Sequence, residues 1–191
     1  MMKKIKYLFL LLLGAAVLLP SCSEDDDNSE ALNWQKSNAA YIDSIAGVAR
    51  ANSDGAWKVF PATGLDENAQ WGNEHCVFCN VIAAGGGTQH PAYTDSVTVN
   101  YSGSLVTGVS FDGSYTGELE PDFDVPFTFA LESTVAGFST AVQHMVEGDT
   151  WRVYIPANLG YGAEVKSGIP AYSTLIFDIN LVSFRPVGFK E

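Results

Sequence analysis

Apolar and polar residues alternate in the second half of the chain. Trp151, Val153 and Ile155 occupy every second position, a period that is typical of a strand with one buried face. Pro156 ends this strand, and a longer apolar run predicts another strand over Thr174–Phe184. The two strands would be joined by a loop that is rich in glycine.

A helical period precedes these strands. The apolar positions that fall on one helix face at 3.6 residues per turn are Val135, Phe138, Ala141, Val142 and Met145. Gly148 suits the C-terminal end of this helix, because glycine adopts the left-handed conformation that ends many helices. The patterns together predict an α+β fold in which a sheet wraps around one short helix.

A second helical period predicts an N-terminal helical extension from about Ser29 to Ala51. Its apolar stripe consists of Trp34, Tyr41, Ile45 and Val48. Such a helix either packs on its own domain or pairs with a second copy to form a homodimer, and the sequence does not distinguish the two. A connector follows, with a short strand predicted over Trp57–Phe60 and a turn over Pro61–Gly64.

The first 21 residues are interpreted as a signal peptide. Lys3, Lys4 and Lys6 form a basic start, and residues 5–19 form an apolar run shorter than the ~20 residues that span a bilayer. Leu19-Pro-Ser-Cys22 resembles the lipobox of bacterial lipoproteins, in which the cysteine carries the lipid. We therefore expect a lipid anchor at Cys22 and an outer-membrane lipoprotein, on the cell surface or the periplasmic face.

An acidic block, Ser23–Asp27, follows the lipobox, and residues 22–30 are predicted to form an extended, solvated tether. The block also resembles the export signal of surface lipoproteins in Bacteroidetes-like bacteria. Removing residues 1–21 would change the formal net charge from −12 to −15. So acidic a surface argues against nucleic-acid binding and against docking on anionic lipid headgroups.

Two cysteines, Cys76 and Cys79, allow three interpretations. An exported protein meets an oxidising compartment, which favours a disulfide between this even pair. Strand residues three apart lie ~10 Å apart and point to opposite faces, which disfavours one. A metal site has less support, since the histidines His90 and His144 lie far apart in sequence. The sequence favours free thiols over a disulfide without deciding between them, and predicts no metal site.

The chain resembles FKBP-type peptidyl-prolyl cis/trans isomerases over roughly its last 110 residues. The matching motifs, in the order of the family, are Val97–Ser104, Phe111-Asp112, Pro126–Phe129, Val135–Phe138, Met145–Asp149, Leu159–Gly162, Ile169-Pro170 and Thr174–Asp178. The resemblance implies an antiparallel half-barrel sheet around one short helix. It places an FKBP-like domain at 73–191, after the helical extension and connector at 31–72.

The resemblance also implies an aromatic substrate pocket. Its catalytic positions correspond to Tyr101, Phe111, Asp112, Phe138, Tyr161 and Phe177, and its further substrate-binding positions to Phe127, Val135, Ile169 and Tyr172. Phe138 would form the floor under the proline ring, with the Tyr161 hydroxyl and the backbone N–H near Val135 as hydrogen-bond donors. Ile169 and Tyr172 would form the outer lip.

Three departures from the family pattern bear on activity. Phe138 stands where the family usually has tryptophan, and Ala171 replaces a second proline. The acidic segment Gly113–Pro126 is longer than its counterpart and is expected to overhang the pocket rim. The family fold therefore has a firmer basis in the sequence than the family activity.

The resemblance implies a peptidyl-prolyl isomerase (EC 5.2.1.8, a rotamase) that acts on proline-containing polypeptides and assists the folding of exported proteins. This reaction uses no cofactor. One alternative is an FKBP-fold polypeptide-binding or chaperone lipoprotein with little or no isomerase activity. A further alternative is a surface lipoprotein, an adhesin or nutrient-capture protein, that keeps the fold as a scaffold.

Overall fold

The computed structural model describes residues 24–120 and 123–188. The predicted signal peptide and the lipidation residue Cys22 lie outside the described residues. In the described part of the chain, no helix is both long and apolar enough to cross a membrane. The elements, in chain order, are α1 (Glu24–Ala51), β1 (Trp57–Pro61), β2 (Cys76–Ala83), β3 (Ser96–Leu105), β4 (Ser110–Gly113), β5 (Phe127–Ala130), α2 (Ala136–Val142), β6 (Thr150–Ile155) and β7 (Leu175–Arg185).

Within the described residues the seven strands form one antiparallel sheet. The strand order is β1-β2-β6-β7-β3-β4, and β5 pairs with β3 beside β4. The predicted strands at Trp57, Trp151 and Thr174 are present as β1, β6 and β7 with small changes at their ends. The predicted α+β fold, a sheet around one short helix with an N-terminal helix, is confirmed.

The inner face of the sheet packs on α2. Along β7, Leu175, Phe177, Ile179 and Leu181 are buried at every second position and belong to the core that contains α2. Alternation therefore sets which side chains reach the core, as the sequence pattern predicted.

Helix α2 is shorter than predicted. It ends at Val142, where the apolar period suggested a helix continuing to Met145 and ending at Gly148. The N–H groups of His144 and Met145 bond to carbonyls three residues back, so the chain tightens into turns while Met145 stays buried. Gly148 has a φ of 92° in a later turn, and its N–H donates to the Leu181 carbonyl.

Helix α1 begins at Glu24, five residues before the predicted start at Ser29. The prediction of an extended tether over the acidic block is wrong for Glu24–Asp27, which is helical. A prediction from charge alone weighs repulsion between like charges and leaves out the general preference of helix N-termini for negative charge.

Helix α1 packs on its own domain, against the outer face of the sheet. The residues it buries there are Ile42, Ala46 and Ala49, next to Phe78 and Tyr154. Of the predicted stripe, Trp34, Tyr41 and Ile45 are partly buried and pack against the core, whereas Val48 is 53% exposed. Alanines bring the helix axis close to the aromatic rings of the sheet, and a pattern read from large residues overlooks them.

The two cysteines of β2 lie on opposite faces of the strand. Cys79 is in the inner core, Cys76 is under α1, and both are free thiols. Burial raises the pKa of both thiols above the ordinary value. The structure therefore agrees with the strand geometry, which argued against a disulfide.

We expect Gly137→Ala to destabilise the fold. A Cβ at Gly137 would overlap the Ile155 side chain, because α2 lies directly on β6 there. The free energy of unfolding should fall by about 1–3 kcal/mol, as for other overpacked cores. Gly47→Ala on exposed α1 is the control: its Cβ meets nothing within 4 Å, and it should stabilise by about 0.5–1 kcal/mol. Urea unfolding measures both, and equal stabilities of Gly137→Ala and the parent would contradict the packing described.

Candidate active site

A cavity of about 340 Å³ opens at the inner face of the sheet, beside the start of α2. Five of its lining side chains are aromatic rings and a sixth, Val135, is aliphatic, and its polar groups lie at its edge. The lining residues are Tyr101, Asp112, Phe129, Ser133, Thr134, Val135, Phe138, Tyr161 and Phe177. We call this space the aromatic cavity.

Phe138 forms the floor of the aromatic cavity. It lies in the first turn of α2 and is 3% exposed. Its ring meets Phe177 edge to face at a centroid distance of 5.3 Å, and Tyr101 edge to face at 6.2 Å. Edge-to-face pairs match the positive edge of one ring to the negative face of the other, so the floor is held by several directional contacts.

Gly103 on β3 allows the rings of Phe111 and Phe177 to pack against each other behind the cavity. Its register partner is Phe177, whose ring packs edge to face on Phe111 at 5.5 Å. A Cβ at Gly103 would lie 2.7 Å from the Phe177 ring and 2.8 Å from the Phe111 ring. The missing side chain therefore leaves the space that the rings occupy.

Tyr101 and Asp112 form the polar edge on the β3–β4 side. The Tyr101 hydroxyl donates to Asp112 Oδ2 at 2.9 Å, and the Gly113 N–H donates to Asp112 Oδ1 at 2.9 Å. Burial raises the pKa of the Tyr101 hydroxyl, and the hydrogen bond to the carboxylate raises it further. Tyr101 therefore stays neutral at physiological pH and fixes the orientation of the Asp112 carboxylate.

Tyr161 also lines the cavity and lies in the loop after β6. Lys166 Nζ lies 5.5 Å from the centre of its ring, and Gly162, with a φ of 60°, turns the chain beside it. Among the described residues, none accepts a hydrogen bond from the Tyr161 hydroxyl. A second donor is the Val135 N–H at the start of α2, which also has no acceptor in the described part of the chain. The cavity thus carries two donors for a bound carbonyl.

The structure brings most of the predicted site residues to one place. Tyr101, Asp112, Val135, Phe138, Tyr161 and Phe177 line the aromatic cavity. Phe111 supports it from behind Phe177. Phe127 lies outside the lining, 48% exposed, with its ring 6.2 Å from Tyr101.

Phe129 is a lining residue that the sequence reasoning missed. It pairs with Val97 across β3 and β5, and its ring lies 6.2 Å from Tyr101 and 6.0 Å from Phe138. The signal was present, because Phe127 and Phe129 are two apart on one strand and share a face. The resemblance to the family assigned Phe127 to the pocket and did not assign Phe129.

The expected place of Ile169 and Tyr172 at the outer lip of the pocket stays a prediction. Neither lines the aromatic cavity; both line a separate groove of about 1050 Å³ between α1 and residues 165–172. Ile169 is 5% exposed and belongs to the core, whereas Tyr172 has a φ of 58° that turns its side chain toward this groove. We call this space the helix groove.

No described residue of the acidic segment Gly113–Pro126 is part of the lining of the aromatic cavity, and its expected place over the pocket rim stays a prediction. The Ser114 N–H donates to the Tyr101 carbonyl, which turns the chain back along β3. The next residue of the segment is Tyr115. Burial raises the pKa of its hydroxyl, and the nearby charges of Asp178 and Asp124 raise it further. Asp178 pairs with Arg152 between two strands, away from the cavity.

Comparison with known proteins identifies the family. Residues 87–182, half of the chain, match the family model described as FKBP-type peptidyl-prolyl cis-trans isomerase. The chain belongs to this family. The matched range contains the whole lining of the aromatic cavity, and it leaves α1, β1 and β2 outside.

Individual relatives agree with the family. The chain is 40% identical over 108 residues to a macrophage infectivity potentiator of Trypanosoma cruzi, a match that covers 56% of this chain and 52% of that protein. It is 37% identical over 107 residues to the FKBP-type peptidyl-prolyl cis-trans isomerase FkpA of Escherichia coli, covering 56% and 37%. The crystal structure of Escherichia coli FkpA aligns with a TM-score of 0.63 at 27% identity, over 85% of this chain and 64% of that one. The chain therefore spans about half or less of the curated relatives it matches.

We expect Tyr101→Phe to reduce the loss of stability at high pH. The pKa of Tyr101 is raised in the folded state above its ordinary value of 10.0, so the hydroxyl ionises first in the unfolded chain. Its contribution to stability is complete below pH 10 and is lost as the pH rises further. The free energy of unfolding from urea titrations should thus fall less between pH 9 and pH 11 in Tyr101→Phe than in the parent.

Asp112→Asn provides a second variant for this titration. It keeps an acceptor for the hydroxyl but removes the negative charge, so its pH dependence should lie between those of the parent and Tyr101→Phe. A Tyr101→Phe curve parallel to that of the parent would contradict the assignment.

Proposed function

We propose that the chain is a peptidyl-prolyl cis-trans isomerase that acts on proline-containing polypeptides. The observation that carries the proposal is an apolar aromatic cavity with its hydrogen-bond donors confined to the edge. Rotation about an X–Pro bond is opposed by a barrier of ~20 kcal/mol that arises from amide resonance. A protein can lower this barrier with a pocket that fits the twisted amide, excludes water and directs hydrogen-bond donors at the amide. The described side chains supply such a pocket.

The floor and walls of the cavity would bind the proline ring and exclude water. Phe138 packs beneath the ring, with Phe177, Phe129 and Tyr101 around it. A planar amide has strong resonance charges that water stabilises, whereas the twisted amide has weaker ones. Removing water therefore costs the planar state more than the twisted state, which lowers the barrier.

The donors at the edge would hold the substrate backbone. The Tyr161 hydroxyl and the Val135 N–H are both available to carbonyl oxygens of a bound polypeptide. The Asp112 carboxylate, fixed by Tyr101, also lines the cavity and would interact with the carbonyl carbon end of the amide dipole. No step in this scheme needs a nucleophile, a metal or a cofactor.

A binding protein without turnover is the second candidate, and the helix groove favours it. The groove is larger than the aromatic cavity and has a mainly apolar lining that includes Leu32, Val165 and Tyr172. A polypeptide bound there would be held without contact to the residues that line the aromatic cavity. A proline-isomerisation assay separates the two candidates, because only the enzyme speeds the approach to equilibrium.

We also propose that the protein is an outer-membrane lipoprotein that assists the folding of exported proteins, as the lipobox at Cys22 and the acidic residues after it suggest. Helix α1 begins two residues after Cys22. Its 28 residues measure about 42 Å at 1.5 Å per residue. A lipid on Cys22 would therefore place one end of a rigid helix at the membrane, with the isomerase domain along its side.

We expect the full chain to catalyse isomerisation of short proline peptides, and Tyr161→Phe to lower kcat/KM about tenfold. That factor corresponds to the loss of one hydrogen bond of ~1.4 kcal/mol. Asp112→Ala should cause a similar loss, because it removes the acceptor of the Tyr101 hydroxyl as well as the edge carboxylate. A protease-coupled or NMR exchange assay measures the rates.

Tyr93→Phe is the matched control for this assay. Tyr93 is 45% exposed and does not line the aromatic cavity, so its substitution should leave the rate unchanged. A folded parent without activity would contradict the proposal of an enzyme and favour the proposal of a binding protein without turnover. An active parent with a fully active Tyr161→Phe would remove Tyr161 from the assigned site.

We expect Cys22→Ala to abolish lipid attachment. Labelling of cells with radioactive palmitate should mark the parent and leave Cys22→Ala unmarked, and the variant should leave the membrane fraction. Cys76→Ala is the control, because its buried thiol is not part of the lipobox and its substitution should not affect labelling. Equal labelling of the parent and Cys22→Ala would exclude this residue as the anchor.

A further inference from the structure

The side chain of Asn38 on α1 lies beneath the loop that leads into β7. It is 1% exposed, and its Oδ1 accepts a hydrogen bond from the Thr174 N–H at 2.8 Å. The Thr174 hydroxyl donates in return to the Asn38 carbonyl at 3.2 Å. These two buried bonds join α1 to the loop, and an unpaired group at either place would be costly.

A neighbouring bond strengthens this connection one helical turn earlier. The Trp34 Nε1–H donates to Ser173 Oγ at 3.2 Å. The Asn38 Nδ2–H donates to the Trp34 carbonyl at 2.9 Å, which orients the amide so that Oδ1 faces Thr174. The amide of Asn38 therefore uses both of its ends, one in the helix and one in the loop.

The loop that α1 holds is bonded in turn to the segment of Tyr161. The Tyr172 N–H donates to the Gly162 carbonyl at 2.7 Å, directly after Tyr161. Tyr172 has a φ of 58°, a backbone conformation that is unfavourable for a tyrosine and persists where the surroundings impose it. The bonds from Gly162 on one side and from α1 to Ser173 and Thr174 on the other impose it here.

We propose that Asn38 is a positioning residue of the isomerase site, which sets the place of the Tyr161 hydroxyl through Thr174, Tyr172 and Gly162. The proposal rests on the proposed function. Helix α1 lies outside residues 87–182, which match the family, so this chain supports its catalytic loop with an element that is not part of the family domain.

The test is a double-mutant cycle between Asn38→Ala and Tyr161→Phe in the full chain, with kcat/KM for a proline peptide as readout. We expect Asn38→Ala to lower kcat/KM about tenfold in the parent, less than the ~100-fold that a 1 Å misplacement can cost. In the Tyr161→Phe background the same substitution should cost less than twofold, because the hydroxyl it positions is absent. Asn38→Asp keeps an oxygen opposite the Thr174 N–H but loses the donor to the Trp34 carbonyl, so it should recover only part of the parental rate.

Asp43→Ala is the matched control on α1. The Asn73 Nδ2–H donates to Asp43 Oδ1 at 2.7 Å, so this variant also removes a hydrogen bond between the helix and the rest of the domain. It acts away from the loop and should leave kcat/KM unchanged. Hydrogen exchange gives a readout without activity: the Tyr172 N–H should exchange faster in Asn38→Ala than in Asp43→Ala.

An active parent in which Asn38→Ala keeps the full rate would overturn the inference and leave the proposed function intact. Losses that multiply in the double variant would also overturn it, since they indicate a general loss of structure. A parent without activity would overturn the proposed function instead, and the exchange of the Tyr172 N–H would then decide whether α1 holds the loop. If Asn38→Ala fails to fold, Trp34→Phe, which removes the bond to Ser173, replaces it in the same cycle.

Discussion

The contact of α2 with the inner face of the sheet is the constraint on which the site depends. Gly137 lets the first turn of the helix lie directly on Ile155 of β6, with no side chain between them. Phe138, the next residue, is thereby brought among the rings of Tyr101 and Phe177. A larger residue at position 137 would move α2 away from β6, and Phe138 would then move away from those rings.

The sheet carries a layer on each face, and this explains its most buried strand. Cys76, Val77, Phe78 and Cys79 of β2 are buried in succession, because α2 and the core cover one side and α1 covers the other. The two layers have different structural roles. The inner layer builds the aromatic cavity, and the outer layer reaches the loops at its edge through Asn38 and Trp34.

Much of the fold could be predicted from the sequence, because period-2 alternation and the spacing of large apolar residues report burial directly. This holds for β6, β7 and the face of α2. The end of α2 could not be placed, since Met145 keeps the apolar spacing after the helix has become a turn. The stripe of α1 predicted three packing residues but omitted Ala46 and Ala49, because alanines carry a weak hydrophobic signal.

Some residues of the candidate site could likewise be placed from the sequence, and others could not. Positions on regular elements, such as Tyr101, Phe138 and Phe177, could be assigned, because the strand or helix fixes where their side chains point. Tyr172 and Ile169 lie in a loop instead, and the path of that loop depends on bonds to a helix more than 130 residues earlier in the chain. No local pattern contains such a contact.

Phenylalanine at the floor makes the edge of the cavity more important. Phe138 offers an apolar ring and no N–H group, so a bound proline would be held from below by packing alone. Its orientation must then come from the groups at the edge, namely Asp112, the Val135 N–H and the Tyr161 hydroxyl. The first two lie on or beside elements of the sheet and α2, whereas Tyr161 lies in a loop. The geometry of that loop, and with it the helix that supports it, therefore has the greater influence on how a substrate is oriented.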